Sequence, residues 1–308
     1  MEIFIDVNDD RSEKVSYDNA EYPIHMRRSC LNSYPGYAAP PHWHDDIEFI
    51  VILKGSMTYN VNGELTELNP QEGIFVNSRQ VHFGYSKTSE NCEFICVLLH
   101  PVTLCLTPDM ERNYVIPLLQ NADLPFIHLK NAAWHRDIAA GVQKMYDLKT
   151  ASGASLKIQS IFTWIWALIY EHMPKSHGTE RKHRHDLSIL KNMIGFIQQH
   201  YREQITLEQI AASGGIGQSK CCKLFSTCIH QTPNAYLTGY RLHRSAELLQ
   251  MTDLNITEIA YEVGFNGASY YAETFRKYMG ISPSSYRKNR TGNKKETGNH
   301  EAVSGSEG

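Results

Sequence analysis

The chain has little that would carry it to or across a membrane. Its opening, MEIFIDVNDD, places acidic residues where a secretion signal needs a basic stretch ahead of an apolar one, so the expected compartment is the cytoplasm. The longest apolar run, Ile161 to Tyr170, is about half of what a bilayer crossing requires and reads as a buried helix. The seven cysteines are odd in number, and Cys92/Cys96 and Cys221/Cys222/Cys228 fit no zinc-finger spacing, so reduced, mostly packed thiols are expected. An excess of one charge is also missing: the net is −3 over 308 residues, 42% of them hydrophobic. That excludes a histone-like or mucin-like polymer and leaves enough apolar material for two cores.

The small net charge conceals two unlike parts. Residues 1–183 hold 16 Lys+Arg against 22 Asp+Glu, whereas residues 184–290 hold 12 against 8. An acidic front and a basic back point to domains with different partners. Within the front, Ile47 to Leu53, Ser56 to Val61, Gly73 to Asn77 and Cys92 to Leu99 read as short strands, with Asn62-Gly63 a hairpin signal. This pattern predicts a sandwich or barrel. From about residue 131 the period becomes helical, with Trp134, Ile138, Val142 and Tyr146 every four residues and an apolar helix over Leu156 to Met173. These helices could cover the barrel or pair with a second copy. Pro174 to Asp186 is polar throughout and reads as a linker; its His177, His183 and His185 fit a solvated basic stretch better than a metal site. The tail 291–308 has nothing to seed a core and is expected to be disordered.

The basic part contains a duplicated unit. Ile210-Ala211 and Ile259-Ala260 are each followed by a glycine, Gly214 and Gly264, and by Phe225 and Phe275 at offsets of 15 and 16. After six intervening residues each copy reaches the same element, Thr232-Pro-Asn-Ala-Tyr236 and Ser282-Pro-Ser-Ser-Tyr286, a hydroxyl N-cap before proline. Each copy also opens on a capping signal, Thr206 to Gln209 and Asn255 to Glu258. A short capped helix, a glycine turn and a second helix locked by Phe is the helix-turn-helix plan, whose second helix enters the major groove of DNA. Asn234 to Met251 reads as one amphipathic helix between the copies, turning Leu237, Tyr240, Ala246 and Leu249 inward. It would set the two units about one helical turn of DNA, roughly 34 Å, apart. A plain helical bundle would show similar spacing, but not the same offsets twice.

On these residues the segment 187–290 resembles the DNA-binding domain of the AraC/XylS family of transcription regulators. The second unit carries Ile259-Ala260, Gly264-Phe265, Tyr270, Phe275, Gly280, Pro283 and Tyr286-Arg287, and the joining helix carries Tyr240-Arg241, Ala246 and Leu248-Leu249. The resemblance implies seven helices, promoter DNA as partner, and DNA-facing positions at Ser219, Lys220, Cys222 and Lys223 in the first unit and Ala268, Ser269 and Glu273 in the second. Gly217 stands where the family commonly has a serine cap, so the first recognition helix is expected to fray or start later. The second set offers no Arg, Lys, Asn or Gln for bidentate base contacts. The first unit is therefore expected to read bases, and the second chiefly to hold phosphates through backbone amides, Arg276 and Lys277.

The acidic part contains Gly36-x5-His42-x-His44-x3-Glu48, and later Gly73 and His82. On a regular strand His42, His44 and Glu48 share a face; His82 from a neighbouring strand would complete a set suited to Mn, Fe, Ni or Zn. The spacing is similar to that of the cupin superfamily, a sensor barrel in many AraC/XylS members. Three readings stay open: a pocket for a polar effector such as a sugar, a divalent-metal sensor site, or packing. Trp43, Tyr59, Phe83 and Tyr85 could stack on a sugar ring or belong to the core, and Arg27 and Arg28 read as solvated.

The expected architecture is multidomain α+β: a cupin-like sensing and dimerisation barrel with trailing helices over 1–173, a linker over 174–186, and an all-α double helix-turn-helix domain over 187–290. The expected function is a DNA-binding transcription regulator, not an enzyme, answering to a small molecule bound by His42, His44, Glu48, His82, Trp43 and Tyr59. It would act as a homodimer, with RNA polymerase as a further partner if it activates. Two alternatives accompany this reading: a metal-dependent cupin enzyme fused to a DNA-binding domain, and a ligand-independent dimeric DNA-binding protein.

Overall fold

The computed structural model describes residues 8, 12–18, 22–174 and 181–288, with residues 181–184 as backbone only. The tail 291–308 and His177 lie outside them. The described residues form two compact units, one of those up to residue 192 with 219–230 and the other of 193–218 with 231–288.

The first unit is built on two sheets. Strands β1 (Ile24–Cys30), β2 (Ile47–Lys54), β5 (Gly73–Val76), β7 (Glu93–Leu99) and β8 (Phe126–Leu129) form a five-stranded sheet in the order β1-β7-β2-β5-β8. Strands β3 (Met57–Val61), β4 (Glu64–Leu68) and β6 (His82–Tyr85) form the second, in the order β4-β3-β6. All the pairings are antiparallel. The hairpin read at Asn62-Gly63 is present, both residues having positive φ (54° and 99°), and it joins β3 to β4.

Alternation along β2 explains why a barrel and helices coexist here. Ile47, Phe49 and Val51 face a core shared with helices α1 (Ala133–Asp147) and α2 (Ala154–His172), while Ile50 and Ile52 face the barrel interior with Met57, Tyr59, Ile74 and Phe94. The helices thus cover the outer face of the five-stranded sheet, through Ile138, Val142, Met145, Ile158, Phe162, Ile165 and Ile169. At about 25 cal/mol per Å² of apolar area removed from water, this double-sided burial is the main stabilisation of the sheet.

The helices of the basic part are α3 (Arg181–His200), α4 (Leu207–Ser213), α5 (Gln218–Ile229), α6 (Pro233–Met251), α7 (Ile256–Glu262) and α8 (Ala268–Met279), with a further helical turn at 283–288. Helix α3 starts inside the stretch read as a linker, because no Gly or Pro interrupts residues 179–194 and the helix extends N-terminally from its buried Leu187 and Leu190. Helix α5 belongs to the first unit, where His230 Nε2 lies 2.9 Å from Gly63 O.

Within the second unit, Arg241 of α6 reaches back to the carbonyls of Tyr201 (2.7 Å) and Glu203 (2.6 Å). Leu237, Ala246 and Leu249 are buried and Tyr240 half-buried, as read from the period.

Candidate functional site

The three histidines and Glu48 meet at one point. The atoms they offer lie within 4.8 Å of one another. The route differs from the expected regular strand: β2 begins only at Ile47, and the chain bends at Asp45 and Asp46. Buried Asp46 anchors that bend by accepting from Tyr17 Oη at 3.0 Å. His82 arrives from β6 through a pair of backbone bonds, His42 N to His82 O at 3.2 Å and His82 N to His42 O at 2.9 Å.

Each imidazole is fixed in one tautomer. Nδ1 donates to a backbone carbonyl in all three: His42 to Pro40 (2.8 Å), His44 to Asp46 (3.0 Å) and His82 to Gln80 (2.9 Å). In its neutral form a ring whose Nδ1 carries the proton presents a bare lone pair at Nε2, and in its charged form a second N–H there. Nε2 of His44 and of His82 is buried without a hydrogen-bond partner, lying 3.8 Å and 3.6 Å from Glu48 Oε2, too far for a hydrogen bond. Glu48 in turn accepts from Tyr59 Oη on the opposite sheet, and Cys96 Sγ is 3.9 Å from its second oxygen.

The electrostatics follow from crowding charges in a dry space. Burial pushes against the charged form of Glu48, yet the neighbouring His82 and His44 imidazoles hold its carboxyl well below the usual range. Burial and the neighbouring His82 and His44 rings hold His42 well below its ordinary value. For His44 burial works downward, but Glu48, Glu13 and Asp46 together lift it to about 9. Burial also lifts the Tyr59 phenol, and nearby Glu48 adds to that.

Of the cluster, His42 and Glu48 reach a cavity of about 720 Å³, where with Glu13 and Tyr59 they form its polar end against walls of Ile50, Met57, Phe94 and Leu98; His44 and His82 lie behind them and do not line it. Glu13 and Tyr34 escaped sequence reading: Glu13 lies in a segment without periodicity, 29 residues before His42. Trp43 was misplaced. Adjacent to His42, it points elsewhere, buried with Lys191 Nζ 5.5 Å from its ring, and does not line the cavity. Arg27 and Arg28 are exposed at the cavity rim, paired with Asp18 (3.3 Å) and Glu93 (2.6 Å).

The two copies of the duplicated motif repeat in atomic detail. Thr206 and Asn255 each close a capping box with Gln209 and Glu258. In each turn the residue six after the isoleucine bonds back, Ile216 N to Ala211 O at 3.1 Å and Phe265 N to Ala260 O at 2.9 Å. The glycines that adopt the left-handed conformation are Gly215 (φ 66°) and Gly264 (φ 88°), each five after its isoleucine, so Gly215 rather than Gly214 is the partner of Gly264. Helix α5 begins at Gln218, directly after Gly217, without a later start. Ser219, Lys220 and Lys223 are exposed and Cys222 half-buried; Ser269, Glu273, Arg276 and Lys277 are exposed and Ala268 half-buried. Lys220 Nζ is 2.8 Å from Asp186. Tyr270, 62% exposed beside Ser269, adds an aromatic face that the base-reading set omitted.

Comparison with known proteins finds two family models along the chain. Residues 31–164 match the AraC-like ligand binding domain and residues 210–289 a helix-turn-helix domain. An uncharacterised HTH-type transcriptional regulator, YdeC of Bacillus subtilis, is 31% identical over 92% of this chain and 97% of its own. The chain belongs to the AraC family of transcription regulators. Among relatives of this AraC-family regulator, the melibiose operon regulatory protein of Escherichia coli is 24% identical over 87% of this chain and 89% of its own. Apo ToxT of Vibrio cholerae aligns at 12% identity over 88% of this chain and 98% of its own, with a TM-score of 0.48. As an AraC-family protein it is a DNA-binding regulator with a ligand-binding domain. Among the described residues no helix is long and apolar enough to cross a membrane.

Proposed function

We propose that this regulator takes a small, hydroxyl-rich effector, a mono- or disaccharide, into the barrel cavity, and that occupancy changes its grip on promoter DNA. The observation that carries the reading is the cavity itself. Its volume of about 720 Å³ falls within the ~300–1,000 Å³ of ordinary ligand sites, and its polar end concentrates acceptors and donors on apolar walls. Tyr59 and Tyr34 offer aromatic faces there, and relatives named for melibiose regulation support a sugar. Coupling requires that the effector bind one arrangement of the chain more tightly than another.

On the DNA side, Ser219, Lys220, Cys222 and Lys223 read bases, while Ala268, Ser269 and Glu273 lie against the groove with Arg276 and Lys277 on phosphates. The regulator works in the cytoplasm as a homodimer, and contacts RNA polymerase where it activates. Its relatives are regulators, which supports binding rather than catalysis as its role. The test is a thermal-shift screen of sugars on the full chain, followed by footprinting with and without each hit. A hit that stabilises the protein and alters the footprint supports the reading. Hits that leave DNA affinity untouched contradict the coupling.

A further inference from the structure

We infer that the Asn62-Gly63 hairpin of the barrel holds the first recognition helix, α5, aligned for base reading, with Gly63 and His230 as its positioning residues. The inference rests on the base-reading role given to α5 above and assigns what aligns that helix.

The contact is close enough to leave no room for a side chain. A Cβ at Gly63 would collide with the Thr227 carbonyl oxygen and stand 2.9 Å from Cys228 Cα, both in the last turn of α5. The hairpin turn asks only for positive φ at its two central residues, and Asn62 meets that at 54° without being glycine. At position 63 the helix therefore imposes an exclusion that the turn does not. The helix also supplies a hydrogen bond. His230, the residue after α5, has φ 57°, and its Nε2 donates to the Gly63 carbonyl at 2.9 Å. A left-handed residue at this place commonly ends a helix and is usually glycine. The imidazole bears a strain that glycine would not, and gains the bond to the hairpin.

The held end and the reading end of α5 are opposite. Ser219, Lys220, Cys222 and Lys223 lie in its first half, and recognition helices meet base edges with their N-terminal residues. Its 12 residues span about 18 Å, so a small tilt at the held end carries the reading side chains off bonds that fail beyond roughly 3.5 Å. Ser219, Lys220 and Lys223 stay exposed, so the hairpin supports the helix without covering these DNA-facing positions. The tip is itself fixed from two sides. Gly63 N–H donates to Oδ1 of buried Asn60 at 2.9 Å, next to the cavity-lining Tyr59. The Asn62 side chain accepts from Val81 N–H at 3.0 Å and its backbone N–H donates to Val81 O at 2.8 Å, next to His82. The strands that carry Tyr59 and His82 thus set the tip on which α5 rests.

The experiment measures the affinity of the full chain for the operator it selects from random duplexes, intact and with each half-site scrambled in turn. Wild type should lose about 10–100-fold when the half-site of the first motif is scrambled. In Gly63→Ala and His230→Ala that discrimination should fall to a few-fold, while affinity for the scrambled duplex stays within about twofold of wild type, because phosphate contacts carry it. His230→Gln, whose amide can donate in place of Nε2, should restore the discrimination. Operator binding should also slow amide exchange at residues 61–64 in wild type and not in Gly63→Ala, since coupling is reciprocal. If circular dichroism shows Gly63→Ala unfolded, the exposed His230, as His230→Ala against His230→Gln, carries the test. Full discrimination in the alanine variants, or no slowing at the hairpin in wild type, overturns the positioning role. Equal weakening on intact and scrambled duplexes overturns it as well, because that marks a general loss of structure. A wild type indifferent to scrambling of either half-site sinks the base-reading role of α5, and this inference with it, whereas discrimination kept by wild type and variants alike sinks this inference alone.

Discussion

Tyr59 on β3 donates its hydroxyl hydrogen bond to Glu48 on β2, so one side-chain contact ties the three-stranded sheet to the five-stranded sheet at the cavity's polar end. Both residues are buried. Removing the hydroxyl leaves a carboxylate oxygen short of a donor in a dry site. Tyr59→Phe is therefore expected to destabilise the barrel by about 1–3 kcal/mol and to weaken effector binding, read by thermal melting with and without ligand. An unchanged melting curve would show that Glu48 finds another donor there.

The second turn glycine is constrained on two counts. Gly264 has φ +88°, and a Cβ there would collide with the Tyr201 carbonyl oxygen and stand 2.9 Å from Arg241 Nη2. Gly264→Ala has to shift the bond between Arg241 and the Tyr201 carbonyl. A loss above about 2 kcal/mol is expected, from strain and overpacking together. Gly215 has φ +66° but nothing within 4 Å of its Cβ direction, so Gly215→Ala should cost only the strain of about 1 kcal/mol. Equal costs in the two variants would contradict this account.

Acid sensitivity should centre on His243. Burial lowers this imidazole to about 4, where it meets Tyr278 Oη at 3.1 Å. In the unfolded chain it titrates near its ordinary 6.5, so between about pH 6.5 and pH 4 the unfolded state binds the proton more readily. Stability present above pH 6.5 is thus lost as pH falls, by up to about 3 kcal/mol from this group. Comparing wild type with His243→Gln in melts from pH 7.5 to 4.5 isolates it. Parallel pH profiles would show that other groups set the acid limit.

Lys223 is exposed on the recognition helix of the first motif. If it meets a phosphate, Lys223→Ala should weaken binding evenly across sequences and lower the salt slope by roughly one. If it reads a base, the loss should be about 1–3 kcal/mol on the cognate duplex alone. Unchanged affinity on every duplex would remove it from the interface.

What the sequence disclosed follows from how strongly each element is patterned. The strands read from it all pair, because buried faces demand Val, Ile, Leu and Phe in alternation. Strands β1, β4, β6 and β8 are not among the runs read: IHMRRSC and ELTEL spend polar residues on exposed positions, and β6 and β8 are only four residues each. His42, His44, Glu48 and His82 were legible because chemistry restricts their types, although a bend rather than a regular strand brings them together. Glu13 was not, since nothing local marks a carboxylate that meets His42 only once the segment is laid across it. Trp43 was over-read because adjacency in sequence does not give a shared direction.

The most direct test of the account is the affinity of the full chain for its own operator, selected from random duplexes, measured with and without a barrel ligand at fixed salt. The account predicts a selected site of two half-sites about one helical turn apart, and an affinity that changes at least several-fold when the cavity is filled. It also predicts that Glu48→Ala abolishes this response while retaining binding to the operator. An affinity that stays the same with the cavity demonstrably occupied would contradict it.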